Sequence, residues 1–76
     1  MTKPSNFYVA SNLKRILDEK EDMSIRQLAE KAELNFETVR RLYNDETRQY
    51  QRDSIAAVCV VLGIGIGDLL EIKERN

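Results

Sequence analysis

Apolar residues recur along this chain at spacings of three and four, and that spacing predicts helices. The first run is Val9, Leu13, Ile16 and Leu17, ending in an acidic stretch at 18–22, so a helix is expected over about 7–20. Residues 1–7 show no period and are expected to form a flexible arm. Ser24, with Gln27 three residues on, has the capping-box pattern. Ile25, Leu28, Ala29 and Ala32 follow at i, i+3, i+4 and i+7, predicting a short helix over 25–32. Asn35 is a strong N-cap type, and Phe36, Val39, Leu42 and Tyr43 place a third helix over 36–44. Polar residues at 44–47 open a loop carried through Gln51.

The period then fails. Residues 55–62 are all apolar and four are β-branched (Ile55, Val58, Val60 and Val61), which fits a buried strand or a buried helix equally well. A lone strand would have no sheet partner in a chain otherwise read as helical, so a fourth helix is expected, with Asp53 as its cap and Gly63 as its stop. Ile66, Leu69 and Leu70 mark a fifth helix over 66–72 behind Gly65, and 73–76 form a tail. One core of Leu13, Leu17, Leu28, Ala29, Leu34, Val39, Leu42, Ile55, Val58, Leu62 and Leu69 follows from these faces.

The segment 24–44 carries the functional signal. Its pattern is Leu28-Ala29-x-x-Ala32-x-Leu34-x-x-x-x-Val39-x-x-Leu42. Ala29 allows two helices to cross at close range, Leu34 plugs the turn into the core, and Val39 and Leu42 anchor the second helix. Asn35, Phe36, Glu37, Arg40, Arg41 and Asn44 are left on the opposite face, the arrangement by which a helix-turn-helix offers its second helix to the DNA major groove.

On these residues the chain resembles the lambda-repressor-like DNA-binding domain, the family of Cro, the phage repressors and the xenobiotic-response-element regulators. The likeness covers about residues 8–72. It rests on Asn12-Leu13-Lys14, Ser24-Ile25-Arg26-Gln27-Leu28-Ala29 and Phe36-Glu37-Thr38-Val39-Arg40-Arg41-Leu42. Downstream, the stretch from Ile55 to Gly63 and Asp68-Leu69-Leu70-Glu71 match the last two helices. The resemblance implies an all-α, compact five-helix fold with the helix-turn-helix at helices 2–3. It also implies sequence-specific DNA binding and transcriptional regulation, expected here as repression. The base-contact candidates are Asn35, Phe36, Glu37, Arg40, Arg41 and Asn44; the phosphate-contact candidates are Ser24, Arg26, Arg48 and Arg52. Arg40 is the expected guanine reader and Arg48 a phosphate anchor. Three positions depart from the family pattern. Glu33 stands where the turn usually has Gly, so a side chain must tolerate positive φ there, at a cost of about 1 kcal/mol. Ile25 replaces a Gln that contacts DNA in many members. Phe36 and Glu37 occupy positions often held by Gln, Ser or Thr. Glu37 is expected to be a solvent charge or an intramolecular partner of Arg40 or Arg41, at i+3 and i+4, more than a base reader.

Composition narrows the alternatives. The chain has 76 residues, enough for one small domain, with no His and one Cys. No nucleophile–base pair, phosphate-cradling Gly loop or zinc-ligand spacing is present, so no catalytic residue, metal or cofactor is expected, and the protein is read as a non-enzyme. The lone Cys59 fits a reducing compartment and a core-filling role, and the expected location is the cytoplasm, with no membrane span. Net charge is −1, low for a nucleic-acid binder, but Arg40, Arg41, Arg48 and Arg52 form a local basic zone. The expected partner is double-stranded DNA, bound by a homodimer at least on the DNA, with no small-molecule ligand. The competing reading is a protein-interaction module, such as an antitoxin or co-regulator that keeps the fold without reading DNA. The −1 charge, Glu33 and Glu37 favour it.

Overall fold

The computed structural model of the protein describes residues 3–75. After a 3-10 turn at Pro4–Asn6, strand β1 covers Phe7–Ser11. Helices α1 (Leu13–Glu19), α2 (Ile25–Ala32), α3 (Phe36–Tyr43), α4 (Arg52–Leu62) and α5 (Ile66–Leu69) follow, and β2 (Leu70–Glu74) ends the described chain. Five helices are present as expected. The all-α expectation is corrected by an antiparallel two-stranded sheet, β1 against β2, with Phe7 opposite Glu74, Val9 opposite Ile72 and Ser11 opposite Leu70.

The sheet shortens two expected helices. Residues 7–11 are strand, so α1 begins at Leu13 rather than near 7, and α5 stops at Leu69 rather than 72. The i, i+4 spacing of Val9 and Leu13 is fortuitous: Phe7, Tyr8 and Val9 suit a pleated surface, and the distant partner strand outweighs the local period. Ala10, from this strand, joins the buried residues. Part of the expected arm is thus structured, since Pro4–Asn6 turn and Phe7 opens β1; residues 1 and 2 lie outside the described residues, as does Asn76 of the expected tail.

Backbone bonds close the ribbon at both ends. Arg75 N–H donates to the Asn6 carbonyl, and Asn12 N–H donates to the Leu69 carbonyl at 2.7 Å. In an antiparallel ladder this alternation turns the backbone groups of residues 71 and 73 toward β1 and those of 70, 72 and 74 outward. Ser11 Oγ accepts from Leu13 N–H at 3.2 Å, so the strand's last side chain helps start α1.

One apolar cluster unites α1 to α5, with Leu13, Leu28, Val39 and Leu69 fully buried. Ten of the eleven expected core residues are buried; Leu34 is only half-buried and packs against the cluster from the turn. The apolar run 55–62 is helical, with Ile55, Val58, Cys59 and Leu62 inward, and Val60 left on the surface. Gln51, not Asp53, is the N-cap of α4; Asp53 lies in its first turn, where a carboxylate favours the helix dipole.

Candidate nucleic-acid interface

The interface is built on two capped helices and a tight turn. Ser24 Oγ accepts from Gln27 N–H at 3.1 Å, and Gln27 Oε1 accepts from Ser24 N–H at 2.8 Å, the reciprocal box its spacing predicts. Helix α2 ends on Glu33 in the left-handed region, φ 57 and ψ 42. Leu34 N–H then reaches back to the Ala29 carbonyl at 2.9 Å. A non-glycine residue does hold the positive φ that the turn demands. Asn35 caps α3, its Oδ1 accepting from Glu37 N–H at 2.8 Å. Val39 and Leu42 bury the inner face of α3.

The outer face carries a charge cluster with unequal partners. Glu37 takes Arg40 in a two-point grip, Nε to Oε1 at 2.6 Å and Nη2 to Oε2 at 2.8 Å. Glu46, from the following loop, approaches Arg40 Nη1 at 3.5 Å. Arg41 meets Glu37 only at 3.7 Å and keeps its side chain 61% exposed, against 37% for Arg40. The hydrogen bond from Arg40 holds the Glu37 carboxyl below the usual carboxylate range, and the same bond raises Arg40 further above neutrality. Glu37 is therefore an ionised intramolecular partner, as its spacing predicts. Arg41 lies on the rim of a groove of ≈ 400 Å³ that Thr38, Thr47, Gln49 and Gln51 also line, between α3 and the segment leading into α4.

The remaining candidates surround this face. Arg26 stacks over the Phe36 ring at 5.0 Å from its centroid, joining the first turns of α2 and α3. Asn44 is the exposed C-cap of α3. Arg48 is exposed in the loop, and Arg52 is exposed at the start of α4; neither has a carboxylate partner among the described residues. Ser24 has its hydroxyl engaged in the cap. Sequence reasoning did not single out the groove residues Thr38, Gln49 and Gln51, nor the Arg26–Phe36 stack. Thr38 was legible as a polar position on a recognition helix; the other contacts depend on how the loop folds back.

Loop and sheet are tied together. Asp45, itself at φ 57, accepts from Ser11 N–H at 2.9 Å, and Tyr50 Oη donates to the Val9 carbonyl at 3.4 Å.

Two short helices joined by a three-residue turn, the second seated on the core by one face and open on the other, define a helix-turn-helix domain. The family model of the Cro/C1-type HTH DNA-binding domain matches residues 12–75, and the chain belongs to that family. It is a DNA-binding domain of the kind that regulates transcription. Among curated proteins and among solved structures nothing matches. Among the described residues no group of His, Cys, Asp or Glu is arranged to hold a metal ion, and no helix is long and apolar enough to cross a membrane.

Proposed function

We propose that this protein is a sequence-specific transcriptional repressor that seats α3 in the major groove and works as two copies on a two-fold DNA site. The observation that carries this reading is the division of α3: Val39 and Leu42 fix the helix to the core, while Arg41 stands open beside a groove that Thr38, Gln49 and Gln51 share with apolar side chains. Arg41 is the base reader in this scheme, with Asn35, Phe36 and Asn44 along the same helix shaping the contact. An arginine with a free guanidinium edge can address guanine O6 and N7 together. Arg40 has that edge committed to Glu37 and acts by positioning the carboxylate. Arg26, Arg48 and Arg52 meet phosphates, as does the capped start of α2 at Ser24. Occupying an operator suffices to exclude other proteins from it, so repression needs no further surface. Two copies are required because one short helix and a handful of phosphates fall short of the affinity of specific regulators, ~10⁻⁸ M or better.

The experiment is selection of bound duplexes from a random pool, followed by titration of the winner across salt concentrations. The expected product is a palindrome with half-sites about 34 Å apart. With four to six phosphates contacted, log K should fall against log salt with a slope of about −4 to −5. No enrichment together with a flat salt response would replace this reading with that of a protein-interaction module.

A further inference from the structure

The chain between α3 and α4 is fastened to the rest of the molecule through side chains. Helix α3 ends in a doubled closure: Asp45 N–H donates to the Leu42 carbonyl at 3.2 Å and Glu46 N–H to the Arg41 carbonyl at 2.8 Å. This is the Schellman arrangement, and its left-handed position, φ 57, falls on Asp45 where glycine is the common occupant. Beyond it, residues 47–50 make no backbone–backbone hydrogen bond among the described residues; the ladder resumes where the Gln51 carbonyl accepts from Ile55 N–H and opens α4. Two side chains bridge this stretch to β1. The Asp45 carboxylate accepts from Ser11 N–H at 2.9 Å. Tyr50, whose ring packs on the core, reaches the Val9 carbonyl at 3.4 Å, the longer and weaker tie.

Strand β1 is a firm base for these ties. Its inner edge is paired with β2, Ala10 is buried, and Asn12 N–H just past its end is bonded to the Leu69 carbonyl. The backbone groups of Val9 and Ser11 face away from β2, so the sheet does not use the groups that receive the loop. Glycine would adopt φ 57 with less strain than Asp45, but only a side chain with an acceptor can hold Ser11 N–H. A carboxylate beside α3 also repels phosphate, so charge alone makes Asp45 unfavourable for binding DNA. Three residues on, Arg48 is exposed and has no carboxylate partner among the described residues. We infer that Asp45 is a positioning residue for DNA binding: clamped on β1 through Ser11, it orders the α3–α4 loop and holds Arg48 where a phosphate meets it once α3 is seated. An arginine on an unclamped loop would still be drawn to the duplex, but each contact would cost the ordering of that loop and add less affinity.

The role rests on the DNA reading above and adds to it a residue that itself touches no DNA. Its test is titration of the full chain and its variants on the selected duplex across salt concentrations. Asp45→Asn and Asp45→Gly remove the same charge and both tolerate positive φ, but only asparagine keeps an acceptor for Ser11 N–H. Asp45→Asn should bind at least as tightly as wild type, with an unchanged slope of log K against log salt. Asp45→Gly should bind about 3–10-fold more weakly than Asp45→Asn, with a slope shallower by up to about one. Arg48→Ala should cost a similar factor in wild type, and less than about twofold once Asp45→Gly is present. A purely structural role predicts a loss of affinity at unchanged slope together with a lower urea midpoint. That result would overturn the inference, as would equal binding by the two Asp45 variants or an undiminished cost of Arg48→Ala beside Asp45→Gly. Amide exchange keeps the clamp testable should Asp45→Gly disturb folding. In wild type, protection of Ser11 N–H should exceed by at least about tenfold that of the outward Ile72 N–H, which has no partner among the described residues; equal protection would overturn the clamp. A wild type that binds no duplex at low salt would refute the DNA reading and the role of Asp45 with it. Wild-type binding with no difference between the two Asp45 variants would refute the role alone.

Discussion

Arg40 and Arg41 are neighbours in sequence with opposite commitments in space. Arg40 has its fork closed on Glu37, and Arg41 has its guanidinium open to solvent. Arg41→Ala should therefore lose about 1–3 kcal/mol of discrimination at one base pair of each half-site. Arg40→Ala should weaken all duplexes alike, and Glu37→Gln should tighten all of them by removing a carboxylate that repels phosphate. Titration of the three variants on the selected site and its single-base changes gives the answer; a uniform loss for Arg41→Ala would make it a phosphate anchor. Glu37 titrates only in acid: its lowered pKa means that the pair's contribution is complete above the ordinary Glu value of about 4.3 and vanishes as pH falls through the lowered one. Binding between pH 6 and 8 should show no step from it. The pairing of Glu37 with a basic neighbour was legible in the sequence, because i+3 and i+4 spacings share a helix face. Which arginine it would hold was not, since both spacings are allowed and Glu46 reaches Arg40 only through the fold of the loop.

At the scale of elements, the parts written in local chemistry were the legible ones. Ser24 with Gln27, Asn35 and Gly63 are signals that act within a turn of themselves, and each holds its place. The fourth helix was resolved by elimination among mostly helical neighbours and by the family resemblance of Ile55 to Gly63. The strands were missed for a physical reason: β1 is stabilised by a partner more than fifty residues away and carries too little alternation to announce itself alone. Leu70, Glu71, Ile72 and Lys73 do alternate apolar with charged, a signal that the helical reading of 66–72 absorbed. Two helix ends sit at positive φ, Glu33 at 57 and Gly63 at 68. Exchange of residue types should move stability in opposite directions. Glu33→Gly is expected to add about 0.5 kcal/mol, relief of strain offset in part by unfolded-chain entropy. Gly63→Ala should cost about 1 kcal/mol although a methyl there meets nothing within 4 Å. Urea midpoints at unchanged m report both, and a Gly63→Ala midpoint equal to wild type would refute the strain account.

Across the whole molecule, three groups make stability sensitive to base. Burial raises the Cys59 thiol and the Tyr50 phenol, and the hydrogen bond to Asp18 raises the Tyr43 phenol, at 2.8 Å. All three are neutral when protonated, and their folded pKa values lie above the unfolded ones. Their contribution is thus complete below the unfolded values, about 8.5 for Cys and about 10 for Tyr, and is lost as pH rises through the folded ones. The melting temperature should be flat from pH 7 to about 8.5 and fall above it. Tyr43→Phe should flatten the decline above about pH 10, and an unchanged slope in that variant would exclude Tyr43 as a contributor.

The meeting of β1 with β2 also sets an order of events during synthesis. β1 is made before its partner, which follows roughly 60 residues later, about 3–12 s at ordinary translation rates. The crossing of α2 on α3 uses neighbours in sequence and can form earlier, whereas the backbone of β1 waits unpaired until β2 emerges. A domain still lacking β2 would therefore expose β1 rather than the helix-turn-helix, and β1 is the segment that a holding chaperone or a protease would find. Pulse-labelled hydrogen exchange on refolding protein should see the same sequence, with the Tyr8 and Ala10 amides protected after those of α2 and α3.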